Sequence, residues 1–143
     1  MVDNPPAGFP TVTPYLLYSD VDAALDRLVE AFGFEERVRM PGPDGKAMHA
    51  EAGIGNAVVM MGNPGPDYKN PAALGAATQL VYVYVDDVDA HCERARATDG
   101  IEIIREPTDQ FYGDRTYGAR DAEGHEWSFA QHVRDVAPED MHP

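Results

Sequence analysis

Two segments of the chain match each other without a gap, at a constant offset of 67 residues. The segments are SDVDAALDRLVEAFGFE (19–35) and DDVDAHCERARATDGIE (86–102), and they share seven identical positions. An internal repeat limits the possible folds strongly, because each copy must form the same unit and neighbouring copies must pack together. The repeat therefore predicts one domain that is built from two similar modules in tandem.

Each copy has the pattern of a capped helix. Asp20 and Asp87 are typical N-cap residues, since their carboxylates accept hydrogen bonds from the free amide groups of the first turn. Gly33 and Gly100 follow at the position where a helix commonly ends in a left-handed residue. The first helix also has an apolar face at helical spacing, formed by Val21, Leu25, Leu28, Val29 and Phe32.

Strand patterns surround both helices. TVTPYLLYS (11–19) and TQLVYVYVD (78–86) precede them, and FEERVRM and IEIIREP follow them. A hairpin ends each copy, KAMHAEAG with NAVVMMG and DRTYGARD with HEWSFAQH, and Asp121-Ala122-Glu123-Gly124 forms the second turn. The order β-α-β-β-β in both copies predicts an α+β fold. Its expected parts are module one at about 10–61, a Pro/Gly-rich linker at 62–77, module two at about 78–135 and a tail at 136–143.

The composition bounds the partners and the compartment. The chain has 143 residues, and 11 Lys and Arg against 25 Asp and Glu give a net charge of −14. This charge disfavours nucleic acid and anionic membrane surfaces as partners, and no apolar run approaches the length of a membrane span. The first residues lack a secretory signal pattern, and the single cysteine, Cys92, lies on an apolar helix stripe. We therefore expect a buried, inert thiol and a cytoplasmic protein.

The paired β-α-β-β-β units, each opened by Asp-Val-Asp-Ala, resemble the vicinal-oxygen-chelate superfamily, and within it the glyoxalase/bleomycin-resistance/dioxygenase branch. DQFYGDR followed by ARDAEGHEW is similar to the closing hairpin of that branch, with Ala122 where proline is more usual. The resemblance implies two half-barrel clefts with helices on the outside, and a homodimer. It implies a fold that serves both enzymes and ligand-binding proteins, so it leaves the function open.

Enzymes of this branch hold a divalent metal on the first and last strands of each module. Counting from the capping Asp and from the turn Gly places these positions at Thr13, Val59, Leu80 and Ser128. None is a good ligand, because such metals prefer imidazole and carboxylate donors. We therefore expect no metal and no cofactor. Of the other histidines, His125 is expected to be structural, and His91 and His142 to be solvated.

The alternation of side chains along the strands predicts which of them line a cleft. If Ser128 faces the cleft, Trp127 and Phe129 belong to the core, and Tyr82 and Tyr84 face the cleft with Leu80. The segment Phe111 to Arg115 would border the cleft mouth. The predicted ligand-binding residues are Tyr15, His49, Val59, Met61, Tyr82, Tyr84, Phe111, Tyr112, Arg115, Glu126, Ser128 and His132, with Ala57 adding to the apolar patch.

Three classes of function remain open. The leading hypothesis is a metal-free protein that binds a bulky aromatic natural product of the bleomycin, mitomycin or enediyne type, with acidic groups favouring a cationic part. The second is an enzyme, either a metal-dependent lyase, isomerase or dioxygenase, or a metal-independent one that uses Glu126, His49 or His132 as a base. The third is a protein-interaction module without a small ligand. In each case the open strand edges favour a homodimer.

Overall fold

The computed structural model covers residues 1–143 and contains two four-stranded sheets, one for each copy of the repeat. The first copy consists of β1 (Tyr15–Leu17), α1 (Val21–Phe32), β2 (Glu35–Pro41), β3 (Ala47–Ile54) and β4 (Ala57–Gly62). The second consists of β5 (Leu80–Tyr84), α3 (Val88–Arg96), β6 (Glu102–Asp109), β7 (Asp114–Arg120) and β8 (Glu126–His132). A short helix, α2 (Pro71–Leu74), lies in the connection, and a 3-10 helix (Pro138–Asp140) lies near the C terminus.

The two sheets have the same topology. Their strand orders are β1-β4-β3-β2 and β5-β8-β7-β6, with the first strand of each module parallel to the last and the other pairs antiparallel. This arrangement confirms the α+β fold with two tandem β-α-β-β-β modules. The turn before β8 also forms as expected, with Gly124 at φ 88° and its amide donating to the Asp121 carbonyl at 3.0 Å.

The helix caps are mostly as predicted. The carboxylates of Asp20 and Asp87 each accept a hydrogen bond from the backbone amide three residues ahead, at 3.0 and 3.1 Å. Gly33 ends α1 in the left-handed region at φ 76°. The helix of module two, α3, ends earlier than expected, at Arg96 with Ala97 as a right-handed C-cap, and Gly100 lies in the turn that follows. The Thr98 hydroxyl donates to the Arg94 carbonyl and occupies an acceptor of the last turn, which helps to end the helix there.

The helices α1 and α3 pack against each other and against the sheets, and one apolar core joins the two modules. The Phe32 ring of α1 lies 5.5 Å from Trp127 and 4.6 Å from Phe129 of module two, centroid to centroid. Trp127 and Phe129 are fully buried, which confirms their predicted place in the core. A polar link joins the modules as well, because Asp121 accepts hydrogen bonds from the Tyr18 hydroxyl at 2.6 Å and the Trp127 indole at 3.2 Å.

The prediction that His91 is solvated is wrong. Its Nε2 lies 2.8 Å from the Phe32 carbonyl and donates to it, so its Nδ1 is left to accept a hydrogen bond from the Tyr117 hydroxyl. The ring also packs 4.4 Å from that of Phe129. The apolar periodicity of the second helix is weak, so the sequence did not show which of its faces meets module one. Burial lowers the pKa of His91.

The half-buried His91 predicts a loss of stability in mild acid. Because the pKa is lowered in the folded state, the unfolded chain binds the proton more tightly, and stability falls as the pH drops below about 6.5. We expect the free energy of unfolding in urea to fall between pH 7 and pH 5, and His91→Gln to flatten this dependence. His132 has a raised pKa and contributes in the opposite sense, so His132→Gln should steepen it. An unchanged slope in His91→Gln would contradict the assignment.

Each sheet has a second face, opposite the helices, which we call the open face of its module. No strand of one sheet packs on a strand of the other, so the two open faces do not close on each other within the chain. Large apolar side chains on these faces are exposed, among them Tyr15 at 49%, Leu80 at 46% and Tyr84 at 62%. No helix of the chain has the length and apolar character needed to cross a bilayer.

Candidate functional site

The open face of module two has a floor of small side chains between two outer strands with larger ones. Ser128 on β8 pairs with Gly118 on β7 and with Tyr82 on β5, and Ala130 pairs with Thr116 one step further along. Paired residues share a face, and alternate residues of a strand point to opposite faces. The small residues are therefore directed away from the helices, although Ser128 and Thr116 are only 4% and 5% exposed. We call this row of small residues, with the larger side chains of β5 and β6 on either side, the trough.

A buried carboxylate lies at one end of this trough. Asp114 is 4% exposed, and its Oδ2 accepts hydrogen bonds from the hydroxyls of Tyr82 at 2.7 Å and Tyr84 at 2.9 Å. Its Oδ1 lies 2.8 Å from Nδ1 of His132. Burial acts to raise the pKa of Asp114, but the three hydrogen bonds outweigh it and the pKa is lowered. Asp114 is therefore an ionised acceptor that holds three side chains in place.

His132 carries a positive charge more readily than an ordinary histidine. Its Nε2 lies 2.7 Å from Asp135, and its Nδ1 faces Asp114, so the protonated ring can donate to a carboxylate from both nitrogens. These hydrogen bonds, of which the one to Asp135 has the larger effect, raise the pKa of His132. A protonated His132 between two carboxylates is suited to fix the Asp114 side chain, and its nitrogens have no lone pair left to act as a base.

The two tyrosines are held as hydrogen-bond donors to the same oxygen. Burial is the main cause that raises the pKa of Tyr82, and the hydrogen bond to Asp114 is the main cause for Tyr84. The rings stand at 66° to each other with centroids 5.5 Å apart. Because each hydroxyl proton is committed to Asp114, only the oxygen lone pairs and the ring faces remain for a ligand. This wall of the trough offers aromatic contact and hydrogen-bond acceptors.

The open face of module one has a smaller polar group. Tyr15 on β1 lies 3.1 Å through its hydroxyl from Nδ1 of His49, and Nε2 of His49 lies 3.2 Å from Glu51. With Glu51 ionised, His49 donates from Nε2, and Nδ1 accepts from the tyrosine. Met60 pairs with both Tyr15 and Glu51, so these side chains share one face. Tyr15 crosses over Gly62, where a Cβ atom would collide with its hydroxyl.

The structure corrects three of the predicted cleft residues. Val59 and Met61 are 3% and 0% exposed and belong to the core, and Met61 pairs with the buried Leu16. The expectation had placed them on the same face as Tyr15, which the alternation of β4 does not allow. Arg115 is also misplaced, because its guanidinium contacts Asp89 of α3 at 3.0 Å and so lies on the helix side.

Of the remaining predicted residues of module two, Tyr112 and Glu126 have contacts or a register position near the trough, and Phe111 packs on Tyr112. Phe111 is 39% exposed and its ring packs edge-on against Tyr112 at 5.2 Å, and the hydroxyl of Tyr112 helps to raise the pKa of Tyr82. Glu126 shares the face with Ser128 but is engaged by the Arg120 guanidinium at 2.9 Å. That ion pair occupies Oε1 of the Glu126 carboxylate.

The strand register also corrects one of the four positions that hold metal in enzymatic relatives. Ser128 pairs with Tyr82, and the residue that pairs in the same way with Tyr15 is Met60, not Val59. The corrected set of positions is therefore Thr13, Met60, Leu80 and Ser128. Hydroxyl, thioether and alkyl groups do not replace imidazole or carboxylate donors. These residues do not fit the divalent metal of the enzymatic family members, and no cluster of three or more suitable side chains offers another site.

Sequence reasoning missed three residues of the trough. Asp114 stood between Tyr112 and Arg115 in the segment that was expected to border the cleft, yet only its neighbours were assigned to the site. The signal was available, because Asp114 has the same strand parity as Thr116 and Gly118. Arg105 and Gly118 could not be paired from sequence, since two register shifts interrupt the β6–β7 ladder.

Comparisons with known proteins agree with this architecture. The family model described as Glyoxalase/Bleomycin resistance protein/Dioxygenase superfamily matches residues 9–129. The chain therefore belongs to this superfamily. An uncharacterized protein of Mycobacterium tuberculosis (strain H37Rv) is 36% identical over 132 residues, which cover 89% of this chain and 77% of that protein.

Solved structures are similar as well. TioX from Micromonospora sp. ML1 is 38% identical with a TM-score of 0.70, over 85% of this chain and 98% of that one. TnmS3 from Streptomyces sp. CB03234, described as an antibiotic binding protein, is 21% identical with a TM-score of 0.66, over 85% and 93% of the two chains. At that identity the second likeness shows the fold alone.

Proposed function

We propose that the protein is a metal-free small-molecule binding protein that sequesters a bulky, aromatic natural-product antibiotic. The ligand lies against the open face of module two, with its ring system on Tyr82 and Tyr84. Capture is stoichiometric and depends on aromatic contact and apolar burial. A cationic or hydrogen-bond-donating group of the ligand is directed to the lone pairs of the tyrosine hydroxyls beside Asp114.

The observation that carries the proposal is that Tyr82 and Tyr84 form a fixed aromatic surface, while the residues at the family's metal positions are unsuitable metal ligands. Tyr82 and Tyr84 are fixed by Asp114 before any ligand arrives, which reduces the entropy lost on binding. The four strand positions that serve chemistry in enzymatic relatives hold Thr13, Met60, Leu80 and Ser128. The description of TnmS3 as an antibiotic binding protein supports this class of ligand for the fold.

Thermal unfolding with and without candidate ligands tests the proposal. A ligand present at about 100 times its Kd stabilises the folded state by about 2.7 kcal/mol, which corresponds to a rise in Tm of roughly 5–10 °C for a domain of this size. We expect such a rise with at least one compound among bleomycin, mitomycin C and an enediyne chromophore. No rise with any aromatic natural product at millimolar concentration would count against the proposal.

An enzymatic function is the alternative, and the Tyr15–His49–Glu51 group is the observation that favours it. Glu51 orients His49 and leaves Nδ1 as an acceptor, which is the arrangement of a general base. A metal-dependent form of the hypothesis is tested by elemental analysis of protein purified without chelators. A stoichiometric divalent metal would favour the enzyme, and binding that survives His49→Gln unchanged would favour the module-two trough.

We further propose that the protein acts as a homodimer. The open faces of both modules expose large apolar side chains and do not meet within one chain, so a second copy is the natural cover. Light scattering at micromolar concentration should therefore give twice the chain mass of 15.6 kDa, with two ligands per dimer. A monomer mass under these conditions would contradict this part of the account.

The proposed place of action is the cytoplasm. The only cysteine, Cys92, is buried, and burial raises its pKa, so the chain has neither a disulfide nor a reactive thiol. The charge of −14 opposes binding to nucleic acid and to anionic membranes. Fractionation of cells that produce the protein would check the compartment.

A further inference from the structure

We propose that Arg105 anchors the ligand by binding a carbonyl or an acidic group attached to a planar aromatic ring. The inference rests on the proposed function and specifies the chemistry of the same site. It assigns opposite roles to the two walls of the trough. The tyrosine wall accepts hydrogen bonds, and the Arg105 wall donates them.

The position of the Arg105 side chain is the first observation. A Cβ atom built on Gly118 would lie 2.6 Å from Nη2, 2.7 Å from Cζ and 3.1 Å from Nη1 of Arg105. The three nearly equal distances show that the guanidinium lies flat over the glycine rather than end-on. Gly118 has the parity of Asp114, so the guanidinium lies on the open face. Its outer side is directed into the trough.

The second observation is that Arg105 has no partner within the chain. Arg96, Arg115 and Arg120 each contact two carboxylates. The side chain of Arg105 makes neither an ion pair nor a hydrogen bond, although the chain has 25 acidic residues. A guanidinium has five N–H donors and a flat face that stacks on aromatic rings. A guanidinium without a protein partner is therefore suited to bind an aromatic ring that carries a hydrogen-bond acceptor. An anionic group that accepts two hydrogen bonds would bind it best.

The geometry of the sheet places Arg105 opposite the tyrosine wall. Tyr82, Ser128, Gly118 and Arg105 form one row across the four strands of module two. Neighbouring strands are about 4.8 Å apart, so the outer members of the row are separated by roughly 14 Å at their backbones. The Arg105 guanidinium covers Gly118 and so reaches part of this distance, and Ser128, 4% exposed, lies between it and Tyr82. A fused aromatic ring system that lies over Ser128 would contact the Tyr82 ring on one side and the Arg105 guanidinium on the other.

A matched pair of fluorescent probes tests the inference. 8-Anilinonaphthalene-1-sulfonate carries an anionic group on a planar ring, and N-phenyl-1-naphthylamine has the same skeleton without it. We expect Arg105→Gln to weaken binding of the sulfonate about tenfold and of the neutral probe less than twofold. Gly118→Ala should act in the same way, because the added Cβ displaces the guanidinium without removing it. Arg96→Gln, on the helix side, changes the net charge equally and should leave both affinities unchanged.

The outcomes separate this inference from the proposed function. If the wild type binds both probes and Arg105→Gln weakens them equally or not at all, the role of Arg105 is overturned while the binding function stands. If Arg96→Gln weakens the sulfonate as much as Arg105→Gln does, net charge explains the effect and the inference fails. If the wild type binds neither probe at millimolar concentration, the proposed function fails and this inference fails with it.

Discussion

Replacing Gly113 with alanine is expected to lower the free energy of unfolding by about 3 kcal/mol or more. Gly113 has a φ of 103°, which strains any residue with a Cβ, and that Cβ would collide with the carbonyl oxygen of Arg134. The Gly113 carbonyl also accepts the amides of Val133 and Arg134, at 2.9 and 3.2 Å. The chain after β8 is therefore held against the turn before Asp114, and the substitution must push it away.

Gly65→Ala is the matched control for this substitution. Gly65 has a similar φ of 92°, but no atom lies within 4 Å of the position that its Cβ would take. It should therefore show only the backbone strain, about 1 kcal/mol. Urea unfolding of both variants measures the difference. Equal destabilisation of the two would mean that the close approach of Arg134 to Gly113 does not exist in solution.

Removing the two rings of the tyrosine wall is expected to have the largest effect on binding. Tyr82→Ala with Tyr84→Ala should weaken 8-anilinonaphthalene-1-sulfonate about a hundredfold, since central aromatic contacts commonly contribute about 1–2 kcal/mol each. The double change also deprives Asp114 of two of its three donors. Fluorescence titration measures the affinity directly.

A tyrosine elsewhere provides the control for the double substitution. Tyr68 is 62% exposed and lies in the connection between the modules, so Tyr68→Ala should change the affinity less than twofold. Tyr82→Phe with Tyr84→Phe keeps the rings and removes the hydroxyls, and should give an intermediate loss. If the double alanine variant binds like the wild type, the ligand does not lie on the open face of module two.

The repeat made the architecture predictable, and the strand parity of module two was predictable with it. Trp127 and Phe129 alternate with Ser128 in a continuous strand. The one assumption that Ser128 faces the cleft therefore assigned a face to every neighbouring side chain on β8 and β5. Module one lacked such an anchor. Val58, Val59, Met60 and Met61 form a continuous apolar run, and such a run gives no alternation from which to choose a face.

The parts of the site that the sequence did not reveal depend on contacts between distant segments. Arg115 follows Asp114 on β7 and so points to the opposite face of the sheet. Its partner Asp89 belongs to a helix, which only the tertiary structure brings near. Arg105 reaches Gly118 across a ladder with two irregular steps, and no local pattern encodes them. His91 was misjudged because its partners, Phe32 and Tyr117, lie in two other elements.

The central claim is that the chain binds an aromatic small molecule without a metal, and calorimetric titration tests it most directly. Protein treated with EDTA would be titrated with the compound that gives the largest rise in Tm, before and after addition of one equivalent of Ni²⁺ or Zn²⁺. The account predicts micromolar or tighter binding, one ligand per chain, with the same Kd in both conditions. Binding that appears only with the metal, or none tighter than about millimolar in either condition, would contradict it.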